Sequence, residues 1–463
     1  MKMMTSRDKE KMINITQEKK NFYKAVFLLI IPMAFQNLIN VGVTTADVIM
    51  LGKVGETVLS AASLGTQVQF ILTLILFGLT SGAAVLTSQY WGKQDIRAIE
   101  KVLGIALGIG IVIAVIFSLG AIIMPEKLMK IYTSEPDVIK EGVKYLRIVG
   151  YSYTLSAITM IYLNIMRSVE RVLISTVVYL ISLVVNIILA AILIFGLFGC
   201  QAMGIEGAAI ATLVARIVEI FIVIVYEIRV KHEIHPHICD IIKFDKILFK
   251  DFLILSMPVV INELLWGAGA SANTAVMGHL GSAAVAANSV AQVTRQIATV
   301  VSFGVATAAA IMLGKAIGEE KYEEAKAYSK RFVGLSIAFG FIGGILILCI
   351  RPVVMNSLSL SDEARNYLGF MMIVMSYFAL FQAYNTTMIV GIFRSGGDTK
   401  FGLIMDVLSM WGCSILLGAV AAFVFKCSVP VVYVLLMSDE IVKFPFTTLR
   451  FKSYKWLKNI TRD

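Results

Sequence analysis

Apolar runs of about 20 residues or more recur along the chain, separated by short connections rich in Lys, Arg, Asp and Glu. Runs of that length match the hydrocarbon thickness of a bilayer for a helix rising about 1.5 Å per residue. The pattern predicts twelve membrane helices, over residues 24–51, 58–90, 100–123, 142–167, 172–197, 205–228, 250–279, 284–315, 329–351, 363–394, 401–425 and 428–448. The second, eighth and tenth are long enough to tilt strongly or to project past the bilayer. A polar, lysine-rich stretch of 23 residues precedes the first span, so no cleavable signal peptide is expected.

The spans fall into two copies of one unit. Pro32, Gly52, Gly55, Ser63, Phe77, Gly78 and Gly92 return 226 positions later, without a gap, as Pro258, Gly278, Gly281, Ser289, Phe303, Gly304 and Gly318. The expected fold is an all-α polytopic membrane protein whose twelve transmembrane helices form two pseudo-symmetric six-helix lobes, residues 1–236 and 237–463. An even number of spans per half gives both halves one orientation, with an axis along the membrane normal between them. A membrane protein built in this way is most often a transporter, because similar halves can rock about a site between them.

Composition agrees with the class. Hydrophobic residues make up 58% of the chain and charged residues only 16%, against about a quarter charged in a soluble domain. The net charge of +10 is a matter of topology. Of the 41 Lys and Arg, 29 fall in the two tails and the even-numbered connections, and eight in the odd-numbered ones. That bias places both termini in the cytoplasm of a plasma membrane, and no nucleic-acid partner is implied. No phosphate-cradling glycine loop is present and no segment is long enough for a nucleotide-binding domain, which leaves an ion gradient as energy source. The five cysteines form no C-x-x-C, and His232, His235 and His237 near Cys239 sit in the connection between the halves. Neither a cofactor, a resident metal nor an enzyme's nucleophile–base pair is expected.

Polar residues inside the spans are the functional candidates, because an ionisable group in hydrocarbon is costly unless it has a task or a partner. Gln36, Asn40, Thr44 and Asp47 lie on one face of the first helix. Pro32 precedes Asp47 by about four turns, and Pro258 occupies the same place in the seventh helix, so both are candidate hinges. In the second copy Asn273 replaces Asp47, and the acid appears instead at Glu263, beside Asn262. Arg295 of the eighth helix is a candidate partner for Glu263. Gln292 and Gln296 share a face of that helix, and Gln67 lies in its repeat mate. Asp406 can pair with Lys400 or Lys443, or belong to a second cation site. Arg216–Glu219 and Glu440–Lys443, each three residues apart, read as pairs along one helix.

The stretch PMAFQNLINVGVTTADVIMLGKVG (32–55) resembles the first helix of the multidrug and toxic compound extrusion (MATE) family, with its proline, aspartate and paired glycines. Residues 186–219 and 391–411 resemble the same family's fifth-to-sixth and tenth-to-eleventh helices, and the likeness runs from about Phe22 to Trp456. The resemblance implies a monomeric antiporter in a lipid bilayer. It would export small organic, often cationic compounds in exchange for Na⁺ or H⁺. It also implies cation coupling at Asp47, with Asn186 as a further candidate; the family's seventh-helix glutamate lies about one turn later, so Glu263 is a candidate by its position within the span. Gln36, Asn40, Thr44, Gln67, Asn262, Gln292, Arg295, Gln296 and Asp406 would line the substrate cavity. Ala190 and Ala383 stand where branches of the family carry a further acid, so the coupling ion stays open. A related lipid-linked precursor flippase is the alternative. It calls for a strongly cationic cavity, whereas the charges within these spans are of both signs.

Overall fold

The computed structural model describes residues 6–230, 233–242, 245–357 and 361–462; the side chains of Asn40 and Thr44 lie outside the described residues, as does His232. Every regular element among the described residues is helical. The first half comprises α1 (Ser6–Val54), α2 (Glu56–Lys93), α3 (Ile96–Ile123), α4 (Pro125–Tyr132), α5 (Pro136–Ser168), α6 (Val172–Phe195) and α7 (Ile205–Arg229). A short helix, α8 (Ile238–Ile242), lies in the connection. The second half comprises α9 (Lys246–His279), α10 (Ser282–Gly318), α11 (Tyr322–Ser357), α12 (Asp362–Phe393), α13 (Thr399–Val424), α14 (Val429–Leu436) and α15 (Asp439–Lys452).

Local chemistry sets several ends. The Asp95 carboxylate accepts the Ala98 amide at 3.0 Å and starts α3, and Asp245 accepts those of Ile247 and Leu248 at 3.0 and 3.3 Å to start α9. Pro125 and Pro136 open α4 and α5, where a missing N–H costs nothing. Pro32 and Pro258, by contrast, lie inside helices that run on without a break.

Eleven helices among the described residues are long and apolar enough to cross a membrane. The twelfth expected span, 428–448, is helical in two pieces. Helix α14 has eight residues, Met437 and Ser438 interrupt the path, and α15 begins with Asp439 and Glu440. Acidic side chains are favourable in the first turn of a helix, where the dipole is positive. A continuous helix would forfeit that stabilisation for two buried carboxylates.

The halves meet through reciprocal glycine contacts. Gly78 of α2 packs on the Val260 backbone of α9, and its repeat mate Gly304 of α10 packs on Ile30 of α1. Gly92 lies against the Lys315 carbonyl, and its mate Gly318 against the Gln89 carbonyl. A Cβ at Gly78, Gly92 or Gly318 would collide with backbone, so these helices approach as closely as small residues permit.

The C-terminal segment closes this end of the molecule. Trp456 is fully buried and stacks on Phe451. Its carbonyl faces Gly396, where a Cβ would collide, and Gly397 takes a φ of 76° in the same turn. Gln89 of α2 donates to the carbonyls of Ser395 at 2.7 Å and Lys458 at 3.1 Å, and accepts the Ile460 amide at 2.8 Å. Arg462 is paired with Asp251 at 2.5 Å. Gln89→Leu leaves these backbone groups buried and unpaired. A loss of about 1–3 kcal/mol in thermal unfolding is expected, together with faster proteolysis after Trp456.

Candidate functional site

Two groups of polar side chains lie among the apolar helices. In the first half, α1, α2, α5, α6 and α7 surround a cavity of about 390 Å³ lined by Asp47, Gln67, Tyr145, Asn186, Thr212 and Arg216, among others. Asp47 is half-buried, and no ion pair or hydrogen bond holds its carboxylate among the described residues. Asn186 donates to Thr212 at 3.4 Å, and its carbonyl oxygen is buried without a partner. Arg216 is committed to Glu219, which is fully buried and also accepts the Thr159 hydroxyl at 3.2 Å. The cavity thus presents one free carboxylate and an unsatisfied amide oxygen beside a neutralised ion pair. Gln67 and Asn186 share it with Asp47, while Gln36 does not line it. Gln36 is buried between helices, donating to Ser175 and Thr176 at 2.7 Å each and accepting from Arg167 at 3.2 Å.

In the second half the acids and bases are knotted together. Lys443 of α15 meets Asp406 at 2.9 Å, Glu440 at 3.0 Å and Asp439 at 3.3 Å. Asn262 donates to Asp406 at 2.8 Å, and Asn385 donates to Glu440 at 2.8 Å while accepting from Thr447 at 2.9 Å. Of the partners the sequence offered Asp406, the structure selects Lys443 over Lys400. Glu263 pairs with Arg394 at 3.1 Å, not with Arg295, and Arg394 reaches on to Ser81 of α2 at 3.0 Å. Arg295 instead donates to Gln292 at 2.8 Å and Gln382 at 3.1 Å and lies over the Phe378 ring. A cavity of about 210 Å³ touches Asn262, Glu263, Trp266, Arg394, Asp406 and Lys443. Gln292 and Arg295 line a smaller one next to Asp439, and Gln296 is exposed and lines neither.

Sequence reading missed Arg394, Asp439, Gln382 and Asn385 as site residues. Arg394 follows Thr387–Phe393, a stretch whose hydrogen bonds run to the fifth residue on. Such widened turns displace side chains from the helical register and recur at functional sites. They leave no trace in hydropathy. In the connection, His235 and His237 pair with Glu227 at 2.7 Å and Glu100 at 3.2 Å. No group of three His, Cys, Asp or Glu among the described residues is arranged to hold a metal.

The MatE family model matches residues 32–192 and again 258–420, two segments whose starts are 226 residues apart like the internal repeat. The chain is 22% identical over 411 residues to the probable multidrug resistance protein YoeA of Bacillus subtilis (strain 168), covering 88% of each. It is 25% identical over 399 residues to the probable multidrug resistance protein NorM of Rhizobium meliloti (strain 1021), covering 84% of each. The fold superposes on that of a MOP superfamily transporter from Pyrococcus furiosus with a TM-score of 0.82, at 19% identity, over 93% of this chain and 96% of the other. On the double family match and the near-complete coverage, the chain is a multi-pass membrane transporter and not an enzyme, and it belongs to the MatE family.

Proposed function

We propose that the protein is a secondary active antiporter of a bacterial plasma membrane, exporting small organic, often cationic compounds in exchange for Na⁺ or H⁺. On this reading residues 1–236 and 237–463 are its two lobes, one chain is the working unit, and both termini are cytoplasmic. The observation that carries the proposal is Asp47, an acid without an ion-pair partner among the described residues, on the wall of a 390 Å³ cavity that also holds Asn186. An unpaired carboxylate inside a membrane span has lost much of its hydration and gains from a proton or a cation. Competition between the coupling ion and a cationic substrate for that group is sufficient for exchange. The reciprocal contacts of Gly78 and Gly304, and of Gly92 and Gly318, support a rocking motion of equivalent halves. The names of the relatives, probable multidrug resistance proteins, support the substrate class.

The buried charges favour cations over a diphosphate headgroup. Within the spans Asp47, Glu219, Glu263, Asp406, Asp439 and Glu440 stand against Arg167, Arg216, Arg295, Arg394 and Lys443, a set of both signs and not the strongly cationic one that a diphosphate calls for. Purified protein in liposomes loaded with a fluorescent organic cation tests the proposal, with a Na⁺ gradient and a pH gradient applied separately. Efflux under one gradient and none without it is the expected result. Efflux under neither refutes antiport of cations.

A further inference from the structure

Between the halves lies a cavity of about 100 Å³ whose wall carries two Arg–Ser doublets, Arg167–Ser168 from α5 and Arg394–Ser395 from the end of α12. The doublets stand 227 positions apart in the sequence, one more than the repeat of the first two helices. Each half therefore sends a corresponding arginine to the same place. The hydroxyl-bearing Ser81 and Thr80 of α2 line the cavity too, as does Asn164.

The two arginines differ in how they are compensated. Arg394 is 4% exposed and has the Glu263 carboxylate at 3.1 Å. The residue that corresponds to Glu263 in the first half is Asn37, and the one that corresponds to Asn262 is Gln36. Arg167 accordingly meets neutral amides, Gln36 at 3.2 Å and Asn164 at 2.6 Å, and no carboxylate lies within ion-pair distance of it among the described residues. Its Nε is buried without a hydrogen-bond partner. A guanidinium held away from water without a counter-charge is costly, and an unpaired buried N–H adds to the cost. Arg295, which also has no acid partner among the described residues, differs in that its three nitrogens all donate to Gln292 or Gln382. The cavity between the doublets is thus lined by one arginine that has an internal carboxylate, one that has none among the described residues, and the Ser81 hydroxyl, around a space of about 100 Å³.

We propose that the Arg167–Ser168 and Arg394–Ser395 doublets form a binding site for one oxyanion group, a carboxylate or a phosphate, at the contact between the halves. Guanidinium forks are suited to either group, and the charge-assisted hydrogen bonds are the strong kind. An anion there joins α5 to α12 and stabilises the arrangement of halves in which both doublets converge. The group arrives on a soluble molecule or on the headgroup of an anionic lipid. The site goes beyond the antiport reading, since its occupancy is measured as ligand-linked stability and requires no transport.

The test uses the full chain. In detergent, chloride is replaced by phosphate or acetate at constant ionic strength while the melting temperature is followed. In bilayer discs, phosphatidylcholine is compared with phosphatidylcholine containing phosphatidylglycerol. A saturable rise of a few degrees with the soluble anions assigns the site to soluble carboxylate or phosphate, and a rise only with phosphatidylglycerol assigns it to a lipid headgroup. In either case Arg167→Gln should weaken the response about tenfold, the worth of one charge-assisted hydrogen bond. Glu263→Gln should strengthen it, because Arg394 is released from its internal carboxylate. Should Arg167→Gln not be recovered folded, Ser81→Ala removes one hydroxyl from the wall and one hydrogen bond of Arg394 while leaving the Arg394–Glu263 ion pair in place, and is expected to weaken the response several-fold. No response to any of these anions, or a response that Arg167→Gln and Ser81→Ala leave unchanged, overturns the proposal.

Discussion

Asp47→Asn is expected to reduce gradient-driven efflux to the rate of protein-free vesicles while the chain remains folded and inserted. The amide keeps the shape of the carboxyl but can neither release a proton nor neutralise a cation. No ion pair or hydrogen bond holds Asp47 among the described residues, so the substitution strands no partner and the melting temperature should change little. Glu219→Gln offers the contrast. It unpairs Arg216 inside the same half, so it should lower stability as well as transport. Measured side by side in proteoliposomes and by thermal unfolding, the two variants separate a coupling acid from a structural one. If Asp47→Asn exports the fluorescent cation at the wild-type rate, Asp47 is not the coupling group.

Much of the fold is legible in the sequence because a bilayer imposes one simple condition, a run of apolar residues long enough to cross it. The eleven spans satisfy that condition in nearly the expected places. The twelfth is helical in two pieces, where chemistry and hydropathy pull apart. Residues 428–448 average out as apolar, yet Asp439, Glu440 and Lys443 bend the path into two helices so that the acids occupy a first turn.

Pairs within one helix are likewise legible, since the three-residue spacing of Arg216 and Glu219, or of Glu440 and Lys443, places both on one face. Pairs between helices are not. Glu263 and Arg394 are 131 residues apart, and their meeting depends on where α9 and α12 cross and on the widened turns before Arg394. Arg295, the partner that the sequence offers, is held instead by Gln292 and Gln382. Gln36 shares the polar stripe of α1 with Asp47, but the eleven residues between them span roughly 16 Å along the axis, so Gln36 meets Ser175 and Thr176 of α6 while Asp47 lies at the level of Asn186.

Lys443→Met is expected to be the most destabilising single substitution in the second half. The thioether side chain fills nearly the same space but withdraws the ammonium on which Asp406, Asp439 and Glu440 converge at 2.9, 3.3 and 3.0 Å. Asp439, Glu440 and Lys443 are 6%, 8% and 5% exposed, so water cannot take the place of the lost cation. Breaking a buried pair by removing one partner costs about 3–5 kcal/mol, and here three carboxylates lose it together. The loss should also reach α9 and α12, because Asn262 holds Asp406 and Asn385 holds Glu440. Asp406→Asn in the Lys443→Met background removes one of the stranded charges and should recover part of the stability. A double-mutant cycle on thermal unfolding measures that recovery as a coupling energy. Strictly additive effects of the two substitutions would show that Lys443 and Asp406 do not depend on each other, and the cluster would then not be the element that fixes α15 against α13.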